Sequence, residues 1–175
     1  SNMLELVTGP MEYNDAKFYL IKILKFIQNY GYTNDKSSIH FNLSFFCDKN
    51  LNDLNILKLI LNTDDDEIYR FFPSRKGNIY AKSVKKIIPY KGYDFFNIPI
   101  DTVKNNLMLP EDKYYGVNFS HINNDKKTQR VEYRYIGGKD YEMNIGNICY
   151  FLDRFILDAY NSIDVGSNQN DADSL

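Results

Sequence analysis

The chain has no tryptophan, only two cysteines, two histidines and five prolines in 175 residues, and no excess of one charge, with 21 Lys and Arg against 23 Asp and Glu. Each scarcity excludes something. A net charge of −2 argues against phosphate-backbone binding as the main task, so nucleic acid is not an expected partner. No apolar run approaches the ~18 residues needed to span a bilayer, and the first residues show no basic stretch before an apolar core. The expectation is a soluble, cytoplasmic protein without a membrane partner, in a bacterium or, for a viral chain, in the host cell. Cys47 and Cys149 lie far apart without a CxxC or His-rich context. They read as two reduced, mostly buried thiols rather than a disulfide framework or a zinc site.

The large side chains come instead from 15 tyrosines and 12 phenylalanines. Roughly one residue in eight is asparagine, far above ordinary usage. Abundant Asn, Ile, Lys, Tyr and Phe is what AT-rich codons produce, as in phages, large viruses and low-GC bacteria. Ser1 and Asn2 ahead of Met3 read as residues left after tag removal and are set aside.

Hydrophobic periodicity divides the chain. Leu4 to Thr8 reads as a strand closed by Gly9 and Pro10. Ala16, Tyr19, Leu20, Ile23, Leu24 and Ile27 recur at helical spacing, with Asn14 or a neighbour as cap and Gly31 past the end. Ile39 to Phe46 alternates: Ile39, Phe41, Leu43 and Phe45 point one way, and His40, Asn42 and Ser44 the other. Asn52 to Leu61 reads as a second helix, and Asp64 to Glu67 as the acidic start of a short one. Arg70, Arg75, Lys76, Lys82, Lys85 and Lys86 then interleave with Phe71, Phe72, Tyr80 and Tyr90.

Tyr115 to Ile122 and Arg130 to Ile136 alternate again around the turn signal Asn123-Asn124-Asp125, which predicts a β-hairpin. Ile145 to Ile163 is a helix with Ile148, Phe151, Leu152, Phe155, Ile156 and Ala159 on its buried stripe. The sum is one α+β domain over residues 3–163, a curved antiparallel sheet with helices packed on one face, followed by a disordered tail over 164–175.

The outward face of that sheet is the feature that points to function. A solvated sheet face usually carries Lys, Glu and Thr. Here it presents His40, Asn42 and Ser44 beside Asn118 and Ser120 and beside Arg130, Glu132 and Arg134. Short hydrogen-bonding groups, a carboxylate and guanidinium forks suit a phosphate or carboxylate ligand and a divalent cation. Two other readings stay open: a satisfied structural network, with Glu132 and Arg134 paired across strands and His40 bonded to Asn118, and a partner-binding face.

The segments Glu5-Leu-Val-Thr-Gly-Pro10, Ser38-Ile-His40-Phe-Asn42-Leu-Ser44 and Arg130-Val-Glu132-Tyr-Arg134-Tyr-Ile-Gly-Gly138 together resemble phage and bacterial amidoligases. These are carboxylate-amine ligases with the glutamine synthetase catalytic fold. The resemblance covers roughly residues 4–163. It implies a glutamine synthetase-like catalytic half and an ATP- and magnesium-dependent ligase that forms an amide or isopeptide bond through an acyl phosphate. Carried over by position, it makes Glu5, Glu132 and His40 metal contacts, with Glu132, Arg134 and His40 at the reacting groups. It sets Asn42, Ser44, Asn118 and Arg130 on the cofactor, and Arg75, Tyr80 and Lys82 around the nucleotide. Its partners would be small-molecule or peptide carboxylates and amines.

The family's earlier acidic strands lie upstream of the Glu5 segment. The expectation is therefore the C-terminal part of a longer ligase. The alternative is a trimmed, noncatalytic viral assembly domain that keeps the sheet and meets viral or identical protein partners.

Overall fold

The expected alternation sets the frame of the molecule. In a computed structural model that describes residues 4–46, 49–87, 113–122, 125 and 127–163, Ile39, Phe41, Leu43 and Phe45 all lean on the core. Strand β1 (Phe41–Leu43) pairs antiparallel with β3 (Val131–Tyr133), and β3 pairs antiparallel with β2 (Val117–Asn118). The sheet order is β1-β3-β2, so the expected hairpin forms and the first strand joins its far side. This is a mixed α/β architecture around a small, open, three-stranded antiparallel sheet.

Four α-helices accompany it among the described residues: α1 (Tyr13–Tyr30), α2 (Ile56–Asn62), α3 (Asp65–Phe71) and α4 (Ile145–Asn161). Helix α3 starts where the acidic run predicts. Asp64 caps it by accepting the Glu67 amide at 2.9 Å, and the carboxylates of its first turn complement the exposed amide groups. Helix α4 covers the apolar side of the sheet. Its Phe155 stacks on Tyr133 with ring centroids 4.3 Å apart, and Phe151 meets Phe72 edge-on at 5.9 Å. Ile148, Phe151, Leu152, Phe155 and Ala159 are buried as expected, and Ile156 is half-buried.

Three expectations are corrected. Leu4–Thr8 is not a strand: it runs irregularly with Leu4 93% and Val7 80% exposed, and its backbone joins no ladder among the described residues. The stretch from Asn52 to Leu61 is not one helix. Asn50 and Asn55 each cap their own turn, a 3₁₀ segment at Leu51–Asp53 and then α2, and Leu54 between them is extended and bridges to Ile163. On α1 only Leu24 is buried, and Tyr19 of the expected stripe is 49% exposed. Helix α1 is fastened mainly by polar contacts: Lys17 and Tyr13 hold Asp153 of α4 at 2.7 and 2.6 Å, and Gln28 donates to the Glu142 carbonyl at 2.7 Å. The tail over 164–175 and Cys47 lie outside the described residues. Cys149 is a free, half-buried thiol whose pKa burial pushes up. No helix among the described residues is long and apolar enough to cross a membrane.

The ladder between β1 and β3 contains a bulge that positions the polar face. Phe41 pairs with Tyr133, yet Ser38 pairs with Gly137, so Ile39 and His40 face three residues, Arg134, Tyr135 and Ile136. An extra residue in one strand breaks the alternation there. Tyr135 and Ile136 consequently both enter the core, each 0% exposed, and Ile136 leaves the polar face on which strict alternation sets it. Arg75, only 2% exposed, closes the backbone accounting by donating from Nη2 to the Arg134 carbonyl at 2.7 Å and from Nε to the Tyr135 carbonyl at 3.1 Å. Burial, and next the neighbouring charge of Arg134, pull the Arg75 pKa down.

Arg75→Leu is expected to destabilise the fold by about 2–4 kcal/mol, because two buried carbonyls lose their donors. Arg130→Leu, on the surface side of the same strand, is expected to change stability by less than about 0.5 kcal/mol. Urea unfolding of both variants checks this. Equal midpoints for the two would remove Arg75 from its structural role.

Candidate functional site

The sheet register lines up three polar residues in one row. Asn42 on β1, Glu132 on β3 and Asn118 on β2 are direct cross-strand partners, so side-chain alternation sets all three on the same face. Glu132 is the centre of this row. Its Oε1 lies 3.1 Å from His40 Nδ1, and its Oε2 accepts from Asn118 Nδ2 at 3.0 Å and from Arg134 Nη1 at 3.3 Å. Around this centre, Ser120 donates twice to Asn118 Oδ1, at 2.9 Å from its amide and 2.7 Å from its hydroxyl. Arg130 Nε donates to Asn42 Oδ1 at 3.2 Å.

The face is graded rather than uniformly wet. Asn118 and Glu132 are only 4% and 8% exposed, whereas Asn42 and His40 stand open to solvent. Burial pushes the Glu132 carboxyl up, but the His40 hydrogen bond, the charges of Arg134 and His40 and the Asn118 hydrogen bond outweigh it and hold the group down at about 2. An ionised Glu132 fixes the histidine tautomer. His40 Nδ1 must carry the proton shared with the carboxylate, which leaves Nε2 directed at Ser38 Oγ, 3.3 Å away. Ser38 is absent from the sequence-derived site. The signal was available, since the alternation that pairs His40 with Asn42 also sets Ser38 two residues before His40 on the same face.

The remaining candidates fall elsewhere. Glu5 is exposed in the irregular N-terminal segment, and no hydrogen bond or ion pair among the described residues joins it to the sheet. Ser44 sits past the end of β1 with its hydroxyl oxygen buried and without a partner among the described residues. Arg75, expected beside a nucleotide, has two of its guanidinium nitrogens committed to the carbonyls of the bulge. Tyr80 and Lys82 belong to a separate patch at the β2 side. Tyr80 stacks on Tyr114 at 5.8 Å, and the Lys82 ammonium lies 5.5 Å from the same ring. His40 bonds to Glu132 and Ser38, and it is Glu132 that takes the Asn118 amide.

A magnesium ion does not fit this donor set. A hard divalent cation needs several oxygen ligands, most of them anionic or water. Here one carboxylate is present, both its oxygens already accept hydrogen bonds, and a guanidinium stands 3.3 Å from one of them. Among the described residues no group of three or more His, Cys, Asp or Glu side chains could hold a metal ion. What the cluster can do is bind negative charge. Arg134 uses one nitrogen on Glu132, its Nε is buried without a partner among the described residues, and its side chain is 15% exposed.

The depressed Glu132 pKa makes stability depend on acid. Because the folded value lies below the ordinary 4.5, the contribution is fully present above about pH 4.5 and is lost as pH falls toward 2. It is of order 3 kcal/mol. Urea midpoints measured across that range should fall for the parent protein more steeply than for Glu132→Gln; parallel curves would contradict the assignment. Comparison with protein-family models, with curated proteins and with solved structures finds no match to this chain.

Proposed function

We propose that the polar sheet face binds the anionic end of a substrate and that the chain serves carboxylate-amine ligation, joining a small-molecule or peptide carboxylate to an amine. The observation that carries this reading is the Arg134 guanidinium, held in place by Glu132 through Nη1, partly exposed, and with its Nε buried without a partner among the described residues. A planar fork of this kind suits a carboxylate or a phosphate through paired N–H donors. Amide formation needs such anion recognition twice, once for the acid and once for the phosphoryl group that activates it. ATP would supply that group as an acyl phosphate, and phosphoryl transfer is accelerated mainly by positioning and charge neutralisation. Asn42 and Asn118 hold the row to either side of Glu132, and His40 sets its exposed edge. The chain's described residues contribute anion binding and orientation; they do not supply the magnesium site that the resemblance implies.

A second reading, a noncatalytic viral assembly domain that keeps the sheet, is favoured by α1. Phe18, Tyr19, Phe26 and Tyr30 on that helix are 52%, 49%, 59% and 78% exposed, a large aromatic surface for one helix.

Isothermal titration separates the two. ATP, or a dicarboxylate such as succinate, is expected to bind the parent protein, with Arg134→Met weakening binding at least about tenfold, as loss of a charge-assisted pair would. Absence of binding to either anion, together with self-association in sedimentation that is lost in Phe26→Ser, would transfer the assignment to assembly.

A further inference from the structure

We propose that Ser38, His40 and Glu132 form a nucleophile, base and carboxylate relay that takes acyl groups from carboxylic esters and passes them to water. The contacts run in the required order: Ser38 Oγ lies 3.3 Å from His40 Nε2, and His40 Nδ1 lies 3.1 Å from Glu132 Oε1. A hydroxyl is a weak nucleophile until an adjacent base can accept its proton, and that base works best when a third group fixes its ring and tautomer. Glu132 does this here, and it is itself held by Asn118 and Arg134. Functional constellations are recognised by such roles and distances rather than by residue order.

Two features of the fold favour this use over a solvated histidine pair. Ser38 and the outer edge of His40 are exposed, so an ester can reach the hydroxyl, while the carboxylate behind them is buried. The residue opposite Ser38 is Gly137, at φ 154°, where a Cβ would come within 2.8 Å of Ser38 Cα and 3.1 Å of Ser38 Cβ. The backbone therefore approaches Ser38 closely and no side chain stands across from it. Ser38 keeps the phase of His40 because the extra residue of the bulge lies on the opposite segment, between Tyr133 and Gly137.

The step balances without any co-reactant other than water. Ser38 Oγ forms a bond to the ester carbonyl carbon as its proton passes to His40 Nε2. The tetrahedral adduct collapses, the bond to the alcohol oxygen breaks, and the alcohol leaves with the proton from His40. Water then attacks the acyl-serine through the same histidine, which releases the acid and restores Ser38. Arg134, the cation beside Glu132, favours esters whose acyl part carries a negative charge.

This activity uses the same face but requires no nucleotide, so its test is independent of ATP binding. The full chain is treated with a fluorophosphonate probe, the adduct is located by peptide mass spectrometry, and hydrolysis of 4-nitrophenyl acetate is followed in parallel. Labelling at Ser38 and at least a tenfold loss of ester hydrolysis in Ser38→Ala and in His40→Ala are expected. Both residues are exposed, and unchanged circular dichroism keeps the comparison valid; Glu132→Gln should slow labelling without moving it to another residue. No label at Ser38, or hydrolysis by Ser38→Ala equal to that of the parent protein, would overturn the proposal.

Discussion

The buried guanidinium of Arg75 is the contact on which the polar face depends. A bulge in a central strand frees backbone carbonyls from the ladder, and in the interior those groups must find donors or cost folding free energy. Arg75 supplies both from one rigid fork, to Arg134 at 2.7 Å and to Tyr135 at 3.1 Å. With the carbonyls held, Tyr135 can turn its hydroxyl inward to Asp65 and accept the Val84 amide at 3.0 Å, tying α3 and the segment after it to the sheet. Asp65 also takes the Ser83 hydroxyl at 2.6 Å, so one short polar network fastens two stretches of chain behind the strand. The outward side of the same strand is then free to carry Glu132 and Arg134.

On that outward side the charges are organised around a single carboxylate. Glu132 is nearly buried and would be costly alone, but it has an imidazole, a guanidinium and an amide within hydrogen-bond reach. The arrangement sets one negative charge between a guanidinium and an imidazole. Its natural complement is a further anion, not a cation, and this separates the face from a magnesium site built on paired acidic groups. Arg75 and Arg134 lie close enough for each charge to be felt by the other, which adds positive potential beneath the strand.

Much of this was legible in the sequence, for identifiable reasons. The alternation at Ile39–Phe45 and around Val131–Tyr133 named the inner and outer faces correctly, because burial of one side imposes a period of two. The hairpin followed from its turn residues, and α3 and α4 from acidic capping and an aromatic stripe. The adjacency of β1 to β3 was not legible, since periodicity says which way a side chain points and nothing about its neighbour across the ladder. The bulge was invisible for the same reason, and with it the burial of Ile136 and the structural role of Arg75, which in sequence is one cation among several. Leu4–Thr8 failed differently: its composition suits a strand, but a strand also needs a partner edge.

The bulge also makes chain length between Glu132 and Gly137 a quantity that cannot vary smoothly. One residue fewer would remove the bulge and leave room for one inward side chain where Tyr135 and Ile136 now both enter the core; one more would turn the following segment over. Asp125, Lys127 and Thr128, between β2 and β3, carry less restriction, because they are exposed and lie outside the ladder. Insertions and deletions among natural variants of this chain should therefore collect in the hairpin loop and spare the few residues after Glu132, a pattern that records the geometry of the face even where its side chains have changed.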